Sequence, residues 1–447
     1  MTRLPGKGLM VNRGCCRIAV VLLLLPLWFS LFPAGGCGKR SDHVTIRFWN
    51  GFTGPDGRTM LRLVKRFNQD NPDVRVLMQR MEWPSYYNKL FVAGLGRRAP
   101  EVCVIHTDVL ERFIQAGFVH PIDEFLPGEH GLDLEDFDAN VWEAVEKEGK
   151  HYALPLDVHP LGLYYNKRLF REAGIVDGEG EAKPPTNRQE FLDAAEKLTR
   201  DLHGNGTIDQ WGFVYTWFRT NVYAMMAQWG GESFNEARTS CLLDTQENVE
   251  ALRFCADLIQ KYRVAPSPEY FDAWIGFRQG KIGMALEGIY MLPDLEKQTD
   301  LDYGGAPIPL LGSVRATWAN SHNLCIRSDL DREEQMASWR FVKYLSDHSV
   351  DWAVGGQVPV RKSLRESEAF RQLEVQSEFA QQIPYVKYMP RVPFIFEFYS
   401  EFDLAVEKAL RGSASAHEAL EVATRNVNTV IERHATLHSR ARDYPDE

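Results

Sequence analysis

KHYALPLDVHPLGLYYNKRLFREAG, Lys150–Gly174, is the stretch that decides the fold. A short apolar run, Tyr152–Leu156, delivers Asp157 and His159 between Pro155 and Pro160. A second β-like run, Leu161–Tyr165, follows, and a helix starts near Asn166. Each proline fixes its own φ and biases the preceding residue away from the helical region, so the passage stays extended. Strand, polar kink, strand, helix is how a chain crosses from one α/β lobe into another.

Upstream of this crossing, strands alternate with helices. Val44, Ile46 and Phe48 alternate with polar residues, as on a half-buried strand. Met60, Val64 and Phe67 share one helix face that ends at Asn71-Pro72. Asp73–Gln79 reads as the next strand, Glu82-Trp83-Pro84-Ser85 opens a helix, and Val102–Ile105 is a short buried strand. The alternation predicts a largely parallel sheet covered by helices on both faces. Such sheets bind ligands beyond the carboxyl ends of their strands. Three loops stand there: Asn50–Gly54, Glu82–Trp83 and His106–Asp108.

Downstream, Thr186-Asn187-Arg188-Gln189 reads as a capping box opening a helix through Thr199. Asp244 or Thr245 caps another. Gly280–Gly288 is a strand, Tyr303–Leu311 an extended, proline-interrupted second crossing, Trp318–Ile326 a returning strand, and Glu333–Ser346 a helix. A glycine-rich loop, Gly355–Arg361, precedes two amphipathic helices, the last opened by the box Ser415-Ala416-His417-Glu418.

These segments, in order, carry a resemblance: IRFWNGFTG (46–54), LVKRFNQDNP (63–72), WPSYYNKL (83–90), APEVCVI (99–105), AGFVHPID (116–123), YALPLDVHPLGLYYNKRLF (152–170), GNGTIDQWGF (204–213), AQWGGESF (227–234), QGKIGMALEGIY (279–290), YGGAPIP (303–309) and GGQVPVRKS (355–363). Together they resemble the extracellular solute-binding proteins, family 1, of bacterial ABC importers, in the branch that carries sugars. The resemblance implies an α/β, two-lobed periplasmic-binding-protein-like fold of type II. Each lobe would be a mostly parallel sheet flanked by helices. Lobe 1 would join 42–155 to 309–344, and lobe 2 would join 156–308 to 345–447. A solute would lie in the cleft, and closure would present it to the permease subunits of an importer. Two departures bear on the ligand. Tyr290 stands where the family often has Trp, and His159 marks only a subset of members.

Residues 1–36 read as a signal peptide. Arg3, Lys7, Arg13 and Arg17 precede the apolar run Ile18–Phe32, which is short of the ~20 residues a membrane span needs. Ala34-Gly35-Gly36-Cys37 resembles a lipobox, although Ala34 replaces the usual Leu, and so implies lipidation of Cys37 and a membrane anchor. An ordinary signal cleavage near Gly36 and a retained anchor are the alternatives. The expected location is periplasmic or cell-surface, lipid-anchored, as a monomer. A net charge of −10 argues against nucleic acid as a partner. Cys103, Cys241, Cys255 and Cys325 read as free and buried, with a Cys241–Cys255 bridge as the alternative. No CxxC pair exists, and no cofactor or metal is expected. In Asp201–Gly212 the bidentate Glu of a calcium loop is missing, which leaves an Asn-Gly turn.

Eleven tryptophans exceed what core filling asks of a chain of this length. Trp83, Trp217, Trp229, Trp274 and Trp318 fall in expected cleft loops, beside Phe52 and Thr53 in the first loop. An aromatic face packs on the C–H face of a sugar while polar neighbours meet its hydroxyls. Each Trp is equally open to a core reading. Asp157 and His159, in the crossing, suit vicinal hydroxyls, or else a helix cap and a hinge histidine. Asp108, Glu287 with Tyr290, the cluster Ser321-His322 after Trp318, and Gln357 complete the expected contacts. Arg361 is either a fork for a carboxylate or phosphate, or a surface ion pair, with the ion pair preferred. Enzyme signatures are broken. Gly276–Ile282 lacks the length and hydroxyl of a P-loop, and neither GxSxG nor HExxH occurs. The reading is a binding protein that captures a mono- or oligosaccharide and performs no chemistry. A glycerol phosphoester or other anionic solute on the same scaffold, and an extracytoplasmic carbohydrate-active enzyme, are its rivals.

Overall fold

Alternating burial along β1 (Val44–Asn50) turns Ile46 and Phe48 into the core. The computed structural model describes residues 43–128, 131–267 and 272–443. The expected signal peptide, 1–36, and Cys37 lie outside the described residues. The remaining strands are β2 (Val74–Arg80), β3 (Val102–His106), β4 (Glu146–Lys147), β5 (Lys150–His151), β6 (Leu154–Pro155), β7 (Asp157–Asn166), β8 (Trp211–Tyr215), β9 (Ile282–Gly288), β10 (Tyr303–Ala306), β11 (Thr317–Asn320), β12 (His322–Ile326), β13 (Val358–Pro359) and β14 (Val386–Lys387).

Two sheets organise them. The first runs β2-β1-β3-β12-β6, and the second runs β14-β11-β7-β9-β8 with β10 and β13 also on β7. The crossing read at Lys150–Gly174 is where the chain leaves one for the other: β6 closes the first sheet and β7 is the centre of the second. Every residue of β7 is buried, so its pattern is continuous rather than alternating.

The sheets are mixed, not mostly parallel. β1 runs parallel to β2 and β3, but β12 is antiparallel to β3 and β6, and β7 is antiparallel to β9, β10, β11 and β13. Strands that arrive by a crossing enter against the direction set by βαβ units, which reverses the pairing at those edges. The expected second crossing also lies elsewhere. Tyr303–Ala306 stays on β7, and Thr317–Asn320 still pairs with β7. The chain returns to the first sheet at Ser321, between β11 and β12, where the backbone N–H of Leu156 donates to the carbonyl of His322 at 2.9 Å. Both passages therefore lie side by side.

Helix starts follow local chemistry. The helix Arg188–Leu198 is capped by Asn187, whose side chain accepts from Glu190 N–H. The box predicted one residue earlier is displaced because the Glu190 carboxylate, not Gln189, reaches back to Thr186. Thr245 precedes Gln246–Gln260. Ser415 and Glu418 exchange the reciprocal bonds of a capping box. At Asp201 the carboxylate accepts the backbone N–H groups of His203, Asn205 and Gly206, the turn that the Asn-Gly reading calls for. The four described cysteines are free and buried, and Cys103 faces Cys325 across β3 and β12.

Candidate functional site

The site forms where the two sheets meet. His106 ends β3, His322 begins β12 directly opposite it, and Asn320 on β11 pairs with His159 on β7. Sheet register therefore brings three imidazoles together. Ring centroids stand 4.4 Å apart for His159 and His322, 4.9 Å for His106 and His322, and 5.5 Å for His106 and His159.

Asp157 organises the cluster from below. Its Oδ1 accepts from His159 Nδ1 at 3.2 Å and from the backbone N–H of His322 at 3.1 Å. Its Oδ2 accepts from His322 Nδ1 at 2.7 Å and from Trp352 Nε1 at 2.6 Å. A carboxylate offers about four acceptor sites, so protein donors fill this one. Asp157 is thus a positioning residue and not the hydroxyl acceptor that the sequence suggested. Burial opposes its ionisation, but the field of His322 and the hydrogen bonds from His159 and His322 outweigh that and hold the carboxyl far below its usual range. Burial, reinforced by His322, lowers His159 to about 4. Burial likewise holds His106 well below its ordinary value. Both rings are neutral at pH 7.

Trp83 supplies the aromatic face. Its ring stacks on His322 at 5.7 Å and 14°, tilts over His106 at 4.3 Å, and meets Phe52 edge-on at 5.9 Å. The ring lies so close over Gly51 that a Cβ there would stand 2.1 Å from it. Phe52 is fully buried against His322 and Trp352, both at 4.8 Å, whereas Thr53 is exposed. Trp318 lies 6.2 Å from His159. Its Nε1, both amide atoms of Gln357 and Asp108 Oδ1 are buried with no hydrogen-bond partner. Ser321 Oγ pairs with Tyr388 Oη at 2.9 Å.

Tyr290 lies 6.0 Å from His159. Its ring crosses Gly288 so closely that a Cβ there would stand 2.0 Å away. Beside it, burial raises Glu287 to about 7, against the backbone N–H of Gly288 at 2.8 Å and the side chains of Thr216, Tyr290 and Trp217. Burial also raises Asp108, opposed by the hydroxyl of Tyr399, which donates to its Oδ2.

Four expected contacts lie apart from the imidazoles. Arg361 is held by Asp136 and Asp347, both at 2.7 Å, so the ion-pair alternative describes it. Trp274 donates to Asp294 and stacks on Phe277. Trp229 packs on Phe254 under the guanidinium of Arg188. Trp217 is 56 % exposed, at the start of the helix Phe218–Gln228, near Glu287. Sequence reasoning missed His106, Tyr87, Trp352 and Tyr388. His106 begins a loop already marked as a ligand loop; the others sit in helical or irregular segments with no local signal.

The family description "bacterial extracellular solute-binding protein" matches residues 52–351, well over half of the chain. The chain belongs to that family. A maltotriose-binding protein of Pyrococcus abyssi (strain GE5 / Orsay) is 22% identical to this solute-binding protein over 385 residues, covering 84% of this chain and 78% of its own. The sn-glycerol-3-phosphate-binding periplasmic protein of Escherichia coli (strain K12) is 21% identical, covering 89% and 94%. The solved structure of the sugar-binding protein MalE from Xanthomonas citri aligns with a TM-score of 0.77 at 21% identity, covering 89% of this chain and 99% of that one. The two-lobed fold is shared. Members of the family are binding proteins, and the family is extracellular. Among the described residues, no helix is long and apolar enough to cross a membrane.

Proposed function

We propose that this chain captures a mono- or oligosaccharide between its two sheets and delivers it to the permease subunits of an ABC importer, without chemistry. One observation carries the reading. The half-buried Trp83 indole borders a junction that also holds unpaired buried polar atoms at Trp318, Gln357 and Asp108. A ring to pack on C–H groups beside unsatisfied donors and acceptors is what a polyhydroxylated solute requires. A glycerol phosphoester is disfavoured because Arg361, its expected cation, is already paired with two carboxylates. On this reading the return segment of lobe 1 begins at 322 rather than 309, so that lobe 1 comprises 42–155 with 322–344 and lobe 2 comprises 156–320 with 345–447, with the Leu156 and Ser321 passages as the working hinge. A lipid on Cys37 would hold the monomer at the membrane, a point that intact-mass analysis of the mature chain tests.

A thermal-shift screen of mono- and oligosaccharides against glycerol phosphates tests the function. A ligand at 100 times its dissociation constant adds ~2.7 kcal/mol. Stabilisation by a saccharide, with contraction in small-angle scattering, supports capture and closure. Stabilisation by phosphoesters alone, or turnover of a glycoside, overturns it.

A further inference from the structure

The three histidines exceed what a carbohydrate cleft needs. One ring nitrogen from each lies within 4.8 Å of one from each of the others. Their Nδ1 atoms are engaged: His159 and His322 on the two oxygens of Asp157, and His106 on the hydroxyl of Tyr87 at 2.7 Å. Among the described residues, Nε2 has no hydrogen-bond partner in any of them. Asp157, ionised, can only accept, so it places a ring proton of His159 and of His322 on Nδ1, which in the neutral imidazole leaves Nε2 as the lone-pair nitrogen. A histidine whose far nitrogen donates to a carboxylate is the usual arrangement behind a metal ligand, because the outer partner fixes tautomer and orientation and strengthens the donor. Here one carboxylate serves two histidines, and Trp352 Nε1 at 2.6 Å holds that carboxylate in place.

We propose that His106, His159 and His322 bind one divalent transition-metal ion, zinc in the first place, with Asp157 and Tyr87 as outer partners. Three imidazole ligands suit zinc and leave a fourth, open position for an oxygen donor. With the three nitrogens no more than 4.8 Å apart, an ion centred among them stands at most about 2.8 Å from each, so reaching ~2.1 Å asks each ring to move by less than ~1 Å. Binding fixes the Nδ1–H tautomer of His106, with Tyr87 accepting. The open position gives a solute oxygen a place beside Trp83, but the metal site stands on the imidazoles alone and does not depend on the carbohydrate reading.

The test uses the full mature chain without a histidine tag, stripped by a chelator. Zn2+ is titrated by calorimetry and Co2+ by visible absorption. One ion per chain, with the intense visible bands of tetrahedral Co2+, is the expected result, and it requires no variant to fold. His106→Ala, His159→Ala and His322→Ala should each weaken binding by more than the ~10–100-fold expected of Asp157→Asn. His203→Ala, at an exposed ring paired with Asp209, should leave it unchanged. Absence of stoichiometric binding, weak octahedral Co2+ bands, or affinity that survives loss of His106 or His159 overturns the proposal. A saccharide shift without metal binding would sink the metal site and leave the carbohydrate reading standing. Metal binding without any saccharide shift would do the reverse.

Discussion

His322 Nδ1 donates to Asp157 Oδ2 at 2.7 Å, and this bond joins the first residue of a strand in one sheet to the first residue of the central strand in the other. The carboxylate is fully buried and serves four donors, two of them imidazoles that line the site. The interlobe joint and the candidate site are one piece of structure.

Asp157→Ala removes the shared acceptor and strands buried donors on His159, His322 and Trp352. Each buried donor left without an acceptor costs about 1–3 kcal/mol. Urea unfolding should show a lower midpoint with an unchanged slope. Intact stability together with a selective loss of solute affinity would return Asp157 to a direct contact.

Trp83→Ala should weaken saccharide binding about tenfold or more, the equivalent of ~1.4 kcal/mol. Gly51→Ala is the sharper variant, since its Cβ would stand 2.1 Å from the indole and must displace it with the ring still present. Calorimetry on both variants should show parallel losses. Unchanged affinity in Gly51→Ala would mean that the ring position is immaterial.

Glu287 sets a pH dependence whose sign is fixed by its raised value. Its ordinary value is 4.5, and the folded chain holds it near 7, chiefly by burial. Between those values the native state keeps a proton that the unfolded state has lost. Its contribution is complete below the lower value and disappears as pH rises through the upper one, by at most ~3 kcal/mol. Unfolding midpoints taken at about pH 5 and about pH 8 should differ less in Glu287→Gln than in the parent. Equal differences would exclude Glu287 as the titrating group.

Arg361→Ala should leave saccharide affinity unchanged and cost about 2 kcal/mol of stability, because it frees the carboxylates of Asp136 and Asp347. Denaturant unfolding beside calorimetry reads both. Lost affinity at constant stability would restore the anion fork.

The crossing at Lys150–Gly174 was legible because prolines and apolar runs act locally. Strand direction was not, since β12 and β7 owe their antiparallel pairing to how distant segments return. Asp157 was placed correctly at the junction but given the wrong partner: whether a carboxylate has acceptor sites left is decided by Trp352 and His322, far along the chain. His106 and His322 share no spacing that marks a ligand set. Only the register of β3 against β12 makes them neighbours. Trp274 and Trp229 look in sequence like Trp83, and burial against Phe277 and Phe254 separates them.

On the proposed reading Leu156 and Ser321, the two adjacent passages between sheets, are the pivot, and groups at a pivot have almost no lever arm. If the lobes part, the outer walls of the cleft swing widest while His159, His322 and Asp157 scarcely shift. Cargo gripped only at the rim would be let go by a small rotation, whereas anything seated on the axle would be released last. On that reading the order in which contacts are surrendered during hand-over follows from where the chain changes sheets.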